Sequence, residues 1–154
     1  MIAIIDYDAG NLKSVEKALA YLGEESVITR DFHTIEQADK VILPGVGSFG
    51  VAMDNLKRYE LDKVIHIGWN SLHLQNNGRL FQNVPMDAYV YFVHSYYLQA
   101  KHEEIVKATT EYGVTIHASV EQDNIFACQF HPEKSSSVGL KILKNFASLQ
   151  GGVK

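Results

Sequence analysis

Ile2-Ala3-Ile4-Ile5-Asp6-Tyr7, followed by Asp8-Ala9-Gly10-Asn11, decides how this 154-residue chain begins to fold. Residues 2–7 are nearly all apolar, the pattern of a strand buried on both faces in a parallel sheet. Residues 8–11 turn that strand into a helix, with Asn11 as its N-cap. Leu12, Val15, Ala18, Leu19 and Leu22 follow at helical spacing, and Gly23 suits the C′ stop. Short strands are expected over 26–29 and 41–43, with a helical turn over 34–38 between them. Strand, helix, strand, helix, strand opens a doubly wound α/β fold.

The third strand runs into Pro44-Gly45-Val46-Gly47-Ser48-Phe49-Gly50. Its glycines permit a sharp turn with bare N–H groups at a strand's carboxyl end, where such sheets bind ligands. The plainer reading is a tight strand-to-helix turn. A helix through Ala52, Met53, Leu56 and Tyr59, reaching toward Ile65, follows. The next segment, His66-Ile67-Gly68-Trp69-Asn70, reads as loop or edge strand, where a parallel sheet would need another buried strand.

From residue 76 the chain changes style. Residues 88–93, 96–99, 105–111, 114–120 and 125–130 are short runs rich in Val, Ile, Tyr and Phe. Tyr112-Gly113 and Gln122-Asp123-Asn124 break them as an antiparallel meander would. Leu140, Leu143, Phe146 and Ala147 line one face of a closing helix, whose cap is expected within Ser135-Ser136-Ser137.

The run over 125–130 stops at His131-Pro132, because proline cannot donate to a ladder and pushes its predecessor out of helical space. His131 therefore stands at a strand end, with Glu133 close enough to reach its imidazole. A histidine oriented by a carboxylate is two-thirds of a nucleophilic triad.

Bulk properties suit one compact domain over 1–154 with a real core: 46% of residues are hydrophobic. A net charge of −4 argues against nucleic acid or an anionic membrane as main partner. No apolar run approaches a membrane span, and residues 1–6 are too short for a secretory core. The single cysteine makes a reducing, cytoplasmic setting the default. No phosphate loop, dinucleotide fingerprint or His-x-x-x-His pair occurs, so neither a cofactor nor a metal is expected.

Pro44-Gly45-Val46-Gly47, His66-Ile67-Gly68-Trp69-Asn70, Tyr91-Phe92-Val93-His94-Ser95-Tyr96 and Gln129-Phe130-His131-Pro132-Glu133-Lys134-Ser135 occur in this order. Together they resemble the glutaminase subunits of imidazole glycerol phosphate synthase, class I glutamine amidotransferases of histidine biosynthesis. The resemblance covers essentially the whole chain. It implies a flavodoxin-like α/β sheet flanked by helices, parallel in its first half and antiparallel in its second. It also implies glutamine as substrate, no cofactor, and a heterodimer with a cyclase subunit that receives the ammonia. His131 would be general base and acid, and Glu133 its orienting carboxylate. Val46 and Gly47 would lie on the oxyanion loop, the backbone of His94, Ser95 and Tyr96 would hold the substrate's amino-acid end, and Asn11 and Lys134 would face the cyclase.

One departure is large. The family carries a central strand, a glycine-flanked elbow with the nucleophilic cysteine, and a helix between the regions matching Ile65 and His66. No Gly-x-Cys-x-Gly occurs in this sequence. Cys128 is the only thiol, yet alternation along a strand puts Cys128 with Phe130 on one face and Gln129 with His131 on the other. Cys128 thus reads as a small buried hydrophobe. Ser135, Ser136 and Ser137 read as capping residues, and Ser95 has no strained elbow to present it. His33, His73 and His102 read as solvated, and His117 shares a polar strand face with Thr115 and Ser119. The expectation is a glutaminase subunit by descent that does not hydrolyse glutamine. A non-hydrolysing pseudo-glutaminase that binds and supports the cyclase is the alternative, and an active hydrolase using Cys128 or a serine a third.

Overall fold

A computed structural model describes residues 1–6, 11–45, 66–75, 78–94 and 96–149. The first half is parallel. Strands β1 (Ile2–Ile5), β2 (Ser26–Thr29) and β3 (Lys40–Ile42) pair in the order β2-β1-β3. Helices α1 (Leu12–Tyr21) and α2 (Phe32–Gln37) make the crossovers. Asn11 caps α1 as expected, its Oδ1 accepting from Ser14 N at 3.3 Å. At the other end Gly23 adopts φ +78°. Its N–H donates to Ala20 O and that of Glu24 to Leu19 O, the paired bonds of a Schellman stop that only glycine enters without strain. Asp31 caps α2, which starts two residues before the expected turn. Strand β1 ends at Ile5, and the expected end at Tyr7 lies outside the described residues, as do the helix over 52–65 and the glycine loop beyond Gly45.

The second half is antiparallel. Residues 66–70, read from sequence as loop or edge strand, form an edge strand, β4 (His66–Ser71), that pairs along β6 (Tyr89–His94). Its alternation decides this: His66 is buried while Ile67 is exposed, the two-faced pattern of a sheet with one side on the core. After Leu72 the same chain continues as β5 (His73–Leu74) and pairs with β7 (Val106–Glu111) instead. Strands β8 (Thr115–Gln122) and β9 (Ile125–Cys128) complete the meander β5-β7-β8-β9. Beyond β9, Gln129 N still donates to Ala118 O, but His131 N donates to Tyr91 O of β6. The pairings thereby run round from β6 to β6.

The main core packs these strands against helix and turn residues. Leu72, Phe81, Val90, Phe92, Ala108, Ala118, Phe130 and Ile142 are buried together, the last from helix α3 (Ser136–Ser148). A smaller cluster of Ile2, Ile4, Val15 and Leu19 holds the parallel half, and Ala147 of α3 packs against it. Parallel first half and antiparallel second half therefore stand as expected. Among the described residues, no ladder joins them into one continuous sheet.

Two expectations fail. Residues 96–99 form no strand. Their backbone meets β8 at His117, whose N–H donates to Leu98 O, and just beyond them Ala100 N donates to His117 Nδ1. One residue cannot make a ladder. Ser135 sits at the N-cap position of α3 but makes no side-chain cap bond, because its hydroxyl is used elsewhere.

Candidate functional site

The turn after β9 brings His131 and Glu133 together, as expected. His131 Nδ1 lies 3.0 Å from Glu133 Oε1, and proline at 132 starts the single helical turn that brings the carboxylate back. The Glu133 side chain is 7% exposed and that of His131 28%, so the carboxylate is covered while the imidazole edge reaches solvent. Burial pushes the Glu133 carboxyl up, but the hydrogen bond and charge of His131 outweigh it and hold the group below its ordinary value. Glu133 is therefore an anion that orients the ring, and the other ring nitrogen, Nε2, is left to handle a proton.

Ser135 fixes this turn. Its Oγ accepts from Tyr91 N at 2.9 Å and donates to His131 O at 2.6 Å. The side chain is fully buried, so Tyr91 N would be orphaned without it, whereas the His131 carbonyl also accepts from Lys134 N at 3.0 Å. Helix α3 closes on the turn at Gly139, where a Cβ would stand 1.8 Å from Pro132 O. Only glycine allows that approach.

Four more expected residues, His94, Tyr96, Asn11 and Lys134, are described. His94 ends β6, and its Nδ1 lies 2.9 Å from the carbonyl of Tyr96. Burial first, and the charge of His131 after it, lower the His94 pKa against the raising effect of the Tyr96 bond. Asn11 and Lys134 are both exposed, and α1 packs beside the Pro132–Lys134 turn. Val46, Gly47 and Ser95 lie outside the described residues.

Cys128 does not join the pair. It packs on the main core beside Phe126, with its Sγ 3.7 Å from Ser119 Oγ. Burial pushes its thiol up to about 11, where the reactive thiolate is scarce at neutral pH. The face assignment from alternation therefore holds for Cys128. His73 and His102, read as solvated, are half-buried and exposed respectively, and each stands beside a carboxylate, at 2.9 Å from Asp87 and 3.3 Å from Glu104. No group of three metal-ligating side chains occurs among the described residues, nor any helix long and apolar enough to cross a membrane.

Sequence reasoning missed His66, which is 2% exposed and faces His94 across the β4–β6 ladder. Pairing β4 with β6 from their alternating patterns would have found it.

Residues 55–149 match the family described as Glutamine amidotransferase class-I. The chain is 37% identical over 199 residues to imidazole glycerol phosphate synthase subunit HisH of Caldanaerobacter subterraneus, covering 97% of this chain and 98% of that protein. It is 38% identical over 199 residues to the subunit of the same name from Chlorobaculum tepidum, covering 96% and 99%. In fold it is similar to PurLQS from Thermotoga maritima, with a TM-score of 0.71 at 18% identity over 95% of this chain and 96% of that one. A turn that keeps its histidine and carboxylate in hydrogen-bond contact, on an α/β frame of this kind and at this level of identity, leaves one assignment: the chain belongs to the class I glutamine amidotransferase family, among the HisH subunits of imidazole glycerol phosphate synthase.

Proposed function

We propose that this chain is by descent the glutaminase subunit of imidazole glycerol phosphate synthase, docking on a cyclase subunit in the cytoplasm, and that it does not itself hydrolyse glutamine. The observation that carries this is the contrast between an assembled His131–Glu133 pair and a sole cysteine bound up with Ser119 in the core. His131 is the general base and acid, and Glu133 orients it. Val46 and Gly47 supply the oxyanion loop, and the backbone of His94, Ser95 and Tyr96 holds the amino-acid end of glutamine. Asn11 and Lys134 face the cyclase.

What is missing is the nucleophile-bearing segment between Ile65 and His66. Lengths support this: 154 residues spread over 199 matched positions leave at least 45 of those positions without a counterpart. Losing the nucleophile of a triad costs on the order of 10⁶ in turnover, and the remaining contacts preserve roughly 10³-fold over water. Glutamate release from glutamine, measured with a cyclase subunit present, is expected at background for both the native chain and Cys128→Ala. Turnover that disappears only in Cys128→Ala would overturn the proposal.

A second reading, a pseudo-glutaminase that supports ammonia-dependent synthesis by the cyclase, is favoured by the outer face of β4 and β6. That face leaves Ile67, Trp69 and Tyr89 more than half exposed. Failure to co-purify with the cyclase would remove it.

A further inference from the structure

His66 and His94 are the first cross-strand partners of the β4–β6 ladder. Their proton positions can be assigned from one end. The Tyr96 carbonyl 2.9 Å from His94 Nδ1 can only accept, so Nδ1 carries the proton and, in the neutral ring, Nε2 carries a lone pair. That Nε2 lies 3.2 Å from His66 Nδ1. The bond between them therefore requires His66 to donate from Nδ1, leaving its own Nε2 bare.

The His66 ring is held in plane to do so. It stacks on Phe92, with centroids 4.5 Å apart and planes at 16°, and on Tyr112 at 4.2 Å and 10°. Burial chiefly, with the neighbouring His94, lowers the His66 pKa to about 4, so the ring stays neutral at physiological pH.

We infer that His66 is a positioning residue: clamped between Phe92 and Tyr112, it donates to His94 and through His94 fixes the carbonyl of Tyr96. This rests on the reading above in which the backbone of His94 and Tyr96 helps hold the amino-acid end of glutamine. A ring that merely filled the core would need no particular nitrogen protonated. A ring that positions His94 must be the Nδ1–H tautomer.

Two variants of the full chain separate these roles. His66→Phe keeps the stack and removes the donor. His66→Asn gives up the stack but puts an N–H where Nδ1 stood. Nitrogen-15 spectra of the histidine rings are expected to show both His66 and His94 protonated at Nδ1. The Tyr97 amide shares a peptide plane with the Tyr96 carbonyl, so its proton signal should move in His66→Phe and return toward native in His66→Asn. Glutamine binding, measured by titration, is expected to weaken about tenfold in His66→Phe, the size of one lost hydrogen bond, and by less in His66→Asn.

A His66 ring protonated at Nε2, or a Tyr97 signal unmoved in His66→Phe, would overturn the inference, as would native-like glutamine binding by that variant. A native chain that binds no glutamine would sink the substrate reading of 94–96 instead, while the ring and amide signals would still decide the positioning role.

Discussion

The two halves of the molecule are stabilised on different scales. In the parallel half, the buried cluster is small, and β2 and β3 contain no fully buried residue. In the antiparallel half, the core draws on strands, turns and α3 together. His131, Glu133, Ser135, His94 and His66 all belong to this second half. The His131–Glu133 pair is thus built on the better-buried part of the chain: the contact itself is local, while the bonds of His131 N and Ser135 to Tyr91 fasten its turn to β6. The lesson is that the His131–Glu133 contact and the burial of Cys128 are held by different parts of this half: the first by the turn after β9, the second by the core beside Ser119.

Truncating one core residue in each half tests that division most severely. Phe92→Ala should cost about 3–5 kcal/mol and disturb the His66 and His94 rings that contact Phe92. Leu19→Ala, equally buried, should cost about 2–5 kcal/mol while leaving the His131–Glu133 hydrogen bond in place. Urea unfolding and ring nitrogen spectra measure the two. A Leu19→Ala chain that lost the hydrogen bond would show that the site leans on both halves.

Acid should act through the second half. His66 takes a proton at about 4 when folded and near 6.5 when unfolded. Between those values the unfolded chain binds more protons, so stability falls as pH falls through that window. About 2 kcal/mol should go between pH 6.5 and 5, at 1.36 kcal/mol per unit, and His94 acts in the same direction. Glu133, held below its ordinary 4.5, adds to the loss only at lower pH. Denaturation at pH 7 and 5 should show a flatter dependence for His66→Phe. An unchanged slope would remove His66 as its source.

Smaller effects sharpen the contrast. Ser135→Ala leaves Tyr91 N without its partner and should cost about 1–3 kcal/mol, with the His131 ring signals shifting as the turn loosens. Gly23→Ala, in the parallel half, meets no atom within 4 Å and suffers only the positive φ. Thermal melts should place it about 1 kcal/mol below native, with the His131 signals unmoved.

By itself the sequence determined whatever local chemistry dictates. The Asn11 cap and Gly23 stop of α1, the position of β2, the parallel-then-antiparallel order and the reach of Glu133 to His131 all follow from residues a few positions apart. The same holds for Cys128 turning from His131, since alternation along a strand is a local rule. Tertiary structure alone decided three things. Between the loop and the edge strand that the sequence allowed for His66-Ile67-Gly68-Trp69-Asn70, the strand won because β6 lies beside it. Ser135 became a staple for Tyr91 and His131 instead of a cap, and two histidines 28 residues apart came into hydrogen-bond contact. In each case the deciding partner is distant in the chain, and a buried donor or acceptor takes whichever partner the packing supplies.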